Sequence, residues 1–114
     1  IDQGLIIAGG TDAPVEIGDP RIEFYAAITR KDIDGFHDEG WNLNQRLTRL
    51  EALKMFTIWP AIASFEEDIK GTIEVGKLAD FSIFDKDIMT IPEKEILSVK
   101  NIYTIVGGRV VYED

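Results

Sequence analysis

The stretch "GLIIAGGTDAP", residues 4–14, decides how the rest of the chain is read. Leu5 to Ala8 form a continuous apolar run rather than an alternating one, the pattern of a parallel strand covered on both faces. Gly9 and Gly10 let backbone or substrate come close, and Thr11 to Pro14 read as a turn. In α/β folds, ligands collect at the carboxyl ends of parallel strands. Asp12 therefore stands where a carboxylate can bind a metal or take a proton from a metal-bound water. An aspartate before Ala13-Pro14 is also an ordinary turn cap, and the local pattern leaves both readings open. Only one strand of this kind is visible, so its sheet neighbours are expected outside these residues.

The 114 residues are 45% hydrophobic and 10% aromatic, enough for one globular domain with a core. Twelve basic against 21 acidic residues give a formal charge of −9. A nucleic-acid binder needs a basic face and an anionic membrane attracts one, so neither partner is expected. The absence of cysteine excludes thiol catalysis, disulfides and cysteine-based zinc sites. No apolar run approaches the ~20 residues of a membrane span. No charged-then-apolar leader is present either, and a cytoplasmic location is the expectation. The chain begins with Ile1 on the approach to a buried strand, and a fragment or processed product is expected.

Asp19 is placed to cap a helix with Pro20 at its first position, running to about Arg30, with Ile22, Tyr25, Ala26 and Ile28 apolar. Lys31 to Gln45 is a polar loop holding Phe36, His37 and Trp41. The lone His37 reads as a surface residue. Phe36 and Trp41 can line a pocket or pin the loop, with pinning favoured. Arg21 and Arg30 read as solvated helix residues. Thr48-Arg49-Leu50-Glu51 is a capping box opening a largely apolar helix to about Trp59. Pro60 is expected to break it, with a short helical piece restarting over Ala61 to Phe65.

After Asp68 the period becomes strand-like. Thr72 to Val75 alternate, Gly76-Lys77 make a turn, and Ala79 to Phe84 form a second strand. Pro92 to Leu97 suit one helical turn. Ile102 to Val106 and Arg109 to Tyr112 flank Gly107-Gly108, a two-residue hairpin of the primed type. The boundary falls near residues 66–71, with about four strands after it. The acidic groups Glu66-Glu67-Asp68 and Asp85-Lys86-Asp87 read as exposed turns.

Three stretches in order carry a resemblance: "AGGTDAPVEIGDPRIEFYAAITR", "GWNLNQRLTRLEALKMFTIWPAIASFEEDIKGTIEVGKLADFSIFDKDI" and "IYTIVGGRVVYED". Together they resemble the C-terminal end of the amidohydrolase superfamily, in the branch called amidohydrolase family 3, the YtcJ-like metal-dependent hydrolases. The resemblance implies an α/β fragment. Residues 1–67 would be the last strand and helices of a (β/α)₈ TIM barrel, and residues 68–114 part of a small flanking β-sandwich domain. It implies a parent that hydrolyses carbon–nitrogen bonds of small amides, cyclic amides or N-acyl compounds, using a divalent metal of the zinc type. Asp12 would be the catalytic carboxylate and a metal contact. The family's His-x-His pair and its further histidines are absent from these residues. No metal is therefore expected in the isolated chain, which should be inactive and self-associating. The rival reading is a non-catalytic acidic α+β interaction module that associates through exposed sheet edges.

Overall fold

The computed structural model describes residues 1–34 and 39–114. Phe36 and His37 lie outside the described residues.

Helix α1, Pro20–Thr29, starts as its sequence dictates. The Asp19 carboxylate accepts the Arg21 backbone N–H at 2.9 Å. Pro20 takes the first helical position, where a missing N–H costs nothing. Arg21 then folds back over its own cap, its guanidinium forking onto both Asp19 oxygens at 2.6–3.1 Å. The same guanidinium donates to the carbonyl of Val99, 78 positions downstream. Arg21 is thus a clamp rather than a solvated residue. The helix ends at Arg30, which adopts left-handed backbone (φ 59°) and donates its N–H to the Ala26 carbonyl.

Helix α2, Arg49–Met55, opens on the expected capping box. Thr48 Oγ1 accepts the Glu51 N–H, and the Glu51 carboxylate accepts the Thr48 N–H at 2.8 Å. The Thr48 hydroxyl also donates to this carboxylate at 2.7 Å, and chiefly that bond, with the backbone N–H second, keeps the Glu51 carboxyl below its ordinary pKa. Helix α3, Ile58–Ala63, follows almost at once. The break falls at Phe56-Thr57, upstream of Pro60, which sits inside the first turn of α3. The reason is backbone chemistry. Proline has no N–H for the carbonyl four residues earlier and its ring crowds that carbonyl, so the continuous helix must stop near Phe56.

The core lies where α1 meets α2 and a 3₁₀ helix at Glu93–Ser98. Phe24, Ile28, Ala52 and Ile96 are its buried centre, with Leu47, Leu53, Phe56, Ile88, Met89 and Ile91 packed around them. Ala52 and Ile96 expose no surface at all. The small side chain of Ala52 is what lets α2 approach α1 this closely. Phe24, absent from the apolar face expected of α1, is the residue that fills the centre. Arg49 reaches from α2 to the carbonyls of Ile88 and Ile91, the latter at 2.6 Å.

The sheet has three antiparallel strands in the order β1-β2-β3: Phe81–Phe84, Asn101–Val106 and Arg109–Glu113. Phe81 pairs with Ile105 and Ile83 with Tyr103. Ile105 pairs with Val110 and Thr104 with Tyr112, so Val111 is an unpaired bulge residue. The hairpin turn is the primed type: Gly107 and Gly108 have φ of 56° and 77°. It docks backwards, Gly108 N–H donating to the Ala79 carbonyl at 2.9 Å and Gly107 N–H to Asp80 Oδ1 at 2.7 Å.

Two expected strands do not form. Leu5 to Ala8 belong to no ladder, and Leu5 is 69% exposed. A parallel strand needs neighbours for its backbone groups, and none lies among the described residues. Thr72 to Val75 likewise pair with nothing, and Ile73 and Val75 stand in solvent. The small unit after residue 68 therefore has three strands, not about four. No helix among the described residues is long and apolar enough to cross a membrane.

Asp19→Ala should lower unfolding free energy by about 1–2 kcal/mol, since it removes a helix cap and one anchor of Arg21. The Arg21 fork holds the Asp19 pKa below its ordinary 3.8. A carboxylate with a depressed folded pKa contributes stability above its unfolded value, and that contribution drains away as pH falls through the folded value. Urea titrations should therefore show the gap between native and Asp19→Ala proteins closing below about pH 4. A gap independent of pH would contradict the charged cap.

Candidate active site

Asp12 is reached along a strap that begins at Leu5, is anchored to α2 and runs into a local turn. Upstream, the Gly9 N–H donates to the Met55 carbonyl at the end of α2, at 2.8 Å. A Cβ on Gly9 would lie 2.8 Å from Met55 Cγ and 3.1 Å from the Phe56 ring, so glycine is required there for close approach to α2. Gly10 has open space around it. Of the two glycines, only Gly9 serves the expected close approach, and what it admits is the chain's own helix.

Downstream, Asp12 itself closes a turn. Its backbone is left-handed (φ 49°), a conformation aspartate tolerates better than most residues. Its carbonyl accepts the N–H groups of Val15 and Glu16, at 2.9 and 3.2 Å. Gly18 returns against Ala13 across the base of this loop. The turn forms, but without the side-chain cap expected of Asp12. The turn uses the backbone carbonyl, and the side chain projects from an exposed residue with no hydrogen-bond partner among the described residues.

Beside this loop lies an open groove of about 440 Å³. Ile17, Ile22 and Ile33 supply apolar wall, and Arg30 and Trp41 close one end. The Arg30 guanidinium sits 5.2 Å from the Trp41 ring centroid and donates through Nε to the Trp41 carbonyl at 3.0 Å. Trp41 N–H donates in return to the Arg30 carbonyl at 2.9 Å. Trp41 therefore does both things expected of it: it pins the loop to α1, and its ring, 57% exposed, also lines the groove. The sequence signal for the Arg30 half of this pair was only its position at the helix end. Asp12 is not part of the groove wall.

Of the other acidic groups expected as exposed turns, Glu66 and Glu67 are half-buried, Glu67 Oε2 has no hydrogen-bond partner among the described residues, and three make structural contacts. Glu66 pairs with Lys70 one helical turn on, and its carboxyl is held below its ordinary value by that contact and by Ser64. Asp85 Oδ1 accepts the Lys100 N–H at 2.8 Å, and Asp87 closes a turn on Met89 and Thr90. Among the described residues no three His, Cys, Asp or Glu side chains are grouped to hold a metal ion.

Since the Asp12 side chain makes no contact that folding depends on, Asp12→Asn should leave stability within about 0.5 kcal/mol of the native protein. Asparagine also tolerates the left-handed backbone. A chemical-denaturation shift well above that figure would show that the carboxylate has a structural partner.

Comparison with known proteins places these features. A family model described as "Amidohydrolase family" matches residues 1–112. A Bacillus subtilis (strain 168) protein that carries the provisional name of amidohydrolase YtcJ is 31% identical over 99% of this chain and 21% of its own length. The N-substituted formamide deformylase of Arthrobacter pascens is 30% identical over 99% of this chain and 20% of its own. Protein LONG AFTER FAR-RED 3 of Arabidopsis thaliana is 32% identical over 98% and 19%. The chain thus spans about a fifth of the length of the curated relatives it matches. No solved structure matches it. The stretch ending in Asp12, the capped helices and the glycine hairpin fall together within one matched segment, and the chain belongs to the amidohydrolase family.

Proposed function

We propose that this chain is the C-terminal segment of a metal-dependent amidohydrolase that hydrolyses carbon–nitrogen bonds in small amides, cyclic amides or N-acyl compounds. Family membership over residues 1–112 carries the reading. In it, residues 1–67 belong to a (β/α)₈ barrel, with Leu5 to Ala8 as its last strand, and residues 68–114 to a flanking β-sandwich. The exposed flanks of Leu5 to Ile7 support this, because they are apolar surfaces shaped for neighbours. A cytoplasmic location is part of the same reading.

The described residues do not by themselves fit a resident metal. Zinc sites use three or four protein ligands, and among the described residues no three His, Cys, Asp or Glu side chains are grouped to supply them. A divalent metal, zinc by preference, is thus assigned to the longer protein, and the isolated chain is assigned no activity. What this chain supplies is a carboxylate on a tethered strap. Asp12 takes the proton of the attacking water as the water oxygen bonds to the acyl carbon. It delivers that proton to the departing nitrogen as the carbon–nitrogen bond breaks. An exposed, unpaired carboxylate is free to do both.

The protein at its natural length should turn over at least one member of a panel containing an N-alkylformamide, a cyclic ureide and an N-acetyl amino acid. Asp12→Asn should lower kcat by at least ~100-fold with folding intact. Normal turnover in that variant would falsify the role of Asp12. No turnover across the panel by the native protein would remove the hydrolase reading itself.

A second reading rests on strand β3, all five residues of which are exposed. An open edge carrying Val110 and Val111 suits pairing with another chain, so the 114-residue chain would act as an interaction module. Sedimentation of the chain should then show association that rises with concentration and is lost in Val111→Lys. A stable monomer at ~100 μM removes this reading.

A further inference from the structure

We propose that the end of helix α2 is the positioning device for Asp12, acting through Gly9. This rests on the reading of Asp12 as the catalytic carboxylate.

Among the described residues the strap from Leu5 to Thr11 pairs in no ladder, and its backbone tether to the helices is the Gly9 N–H on the Met55 carbonyl, at 2.8 Å. That carbonyl lies in the last turn of α2, among groups left without partners inside the helix. The tether is also a steric fit, because the space a Cβ would need at Gly9 is taken by Met55 Cγ and the Phe56 ring. Phe56 in turn packs on the central core. Asp12 follows the Gly9 contact by three residues and opens a local turn in which its own carbonyl accepts the Val15 and Glu16 N–H groups. Gly9, Met55 and Phe56 touch no reacting atom in this scheme. They set where the carboxylate stands.

Shifting a catalytic group by about 1 Å can cost ~100-fold in rate. Gly9→Ala must displace Met55 or lift the strap by a few tenths of an ångström, so a loss of about 10-fold in kcat is expected in the natural-length protein. KM should stay within about 2-fold, since binding groups elsewhere are untouched. Hydrogen exchange over a peptide spanning residues 9–18 gives a second readout that needs no activity. Gly9→Ala should speed exchange at the Val15 and Glu16 amides, whose acceptor is the Asp12 carbonyl. Met55→Ala added to Gly9→Ala removes the closest clash and should restore most of the kcat and the slow exchange.

The inference is overturned if folded Gly9→Ala keeps native kcat and native exchange over residues 9–18. It is overturned equally if KM rises while kcat holds, or if the double variant folds but recovers neither readout. Should Gly9→Ala fail to fold, the folded double variant is compared with Met55→Ala alone, and a matching kcat and exchange rate uphold the proposal. An active Asp12→Asn protein is a separate result. It removes the catalytic reading while leaving the exchange data to report on the tether.

Discussion

Two guanidinium groups hold the two halves of the chain together. Arg21 of α1 and Arg49 of α2 both reach past their own helices to backbone carbonyls in the segment 88–99. That segment has little regular structure beyond one 3₁₀ helix, so its carbonyls need donors from elsewhere. Charge-assisted bonds to a planar fork supply them and fix direction as well as distance. With the segment held, Ile96 and Val99 are driven under the helices, and the core closes over Phe24, Ile28 and Ala52. The Asp19 carboxylate is part of the same device: it starts α1 and aims the guanidinium of Arg21 at Val99.

The core so formed serves the candidate site indirectly. It fixes α2, and the last turn of α2 receives the strap that leads to Asp12. A carboxylate on the surface of a strap has many positions open to it unless the backbone on either side is pinned. Here the upstream side is held by a hydrogen bond to a helix end, and the downstream side curls into a local turn. Rigid elements carrying a functional group on a short connection are the usual solution to this problem.

Two sets of uncovered apolar residues lie outside the sheet. Leu5, Ile6 and Ile7 begin the strap, while Phe65, Ile73, Val75 and Leu78 follow α3. Phe65 is 91% exposed and Val75 is fully exposed. Both sets lie outside the packed centre. This agrees with a chain that spans about a fifth of its relatives' length.

Much of the local architecture was written in the sequence because it is decided within a few residues. Asp19-Pro20 started a helix, Thr48 to Glu51 capped one, and Gly107-Gly108 closed a hairpin, each through contacts no more than one turn long. The turn at Asp12, between glycines and a proline, was also legible. What the sequence could not decide was anything requiring a distant partner. Leu5 to Ala8 read as a strand, but a ladder needs a second strand, and periodicity says nothing of whether one is present. Arg21 and Arg30 looked solvated because their acceptors, Val99 and Trp41, are chosen by packing. Pro60 announced a break, yet its site upstream at Phe56 follows from the hydrogen bond the proline cannot make. Gly9 looked like room for a ligand, and only the tertiary structure shows that the room is filled by Met55 and Phe56. Capping and turn chemistry act over a few residues and can be read from the chain. Ladder pairing, long-range donors and steric clearance exist only between segments that folding brings together.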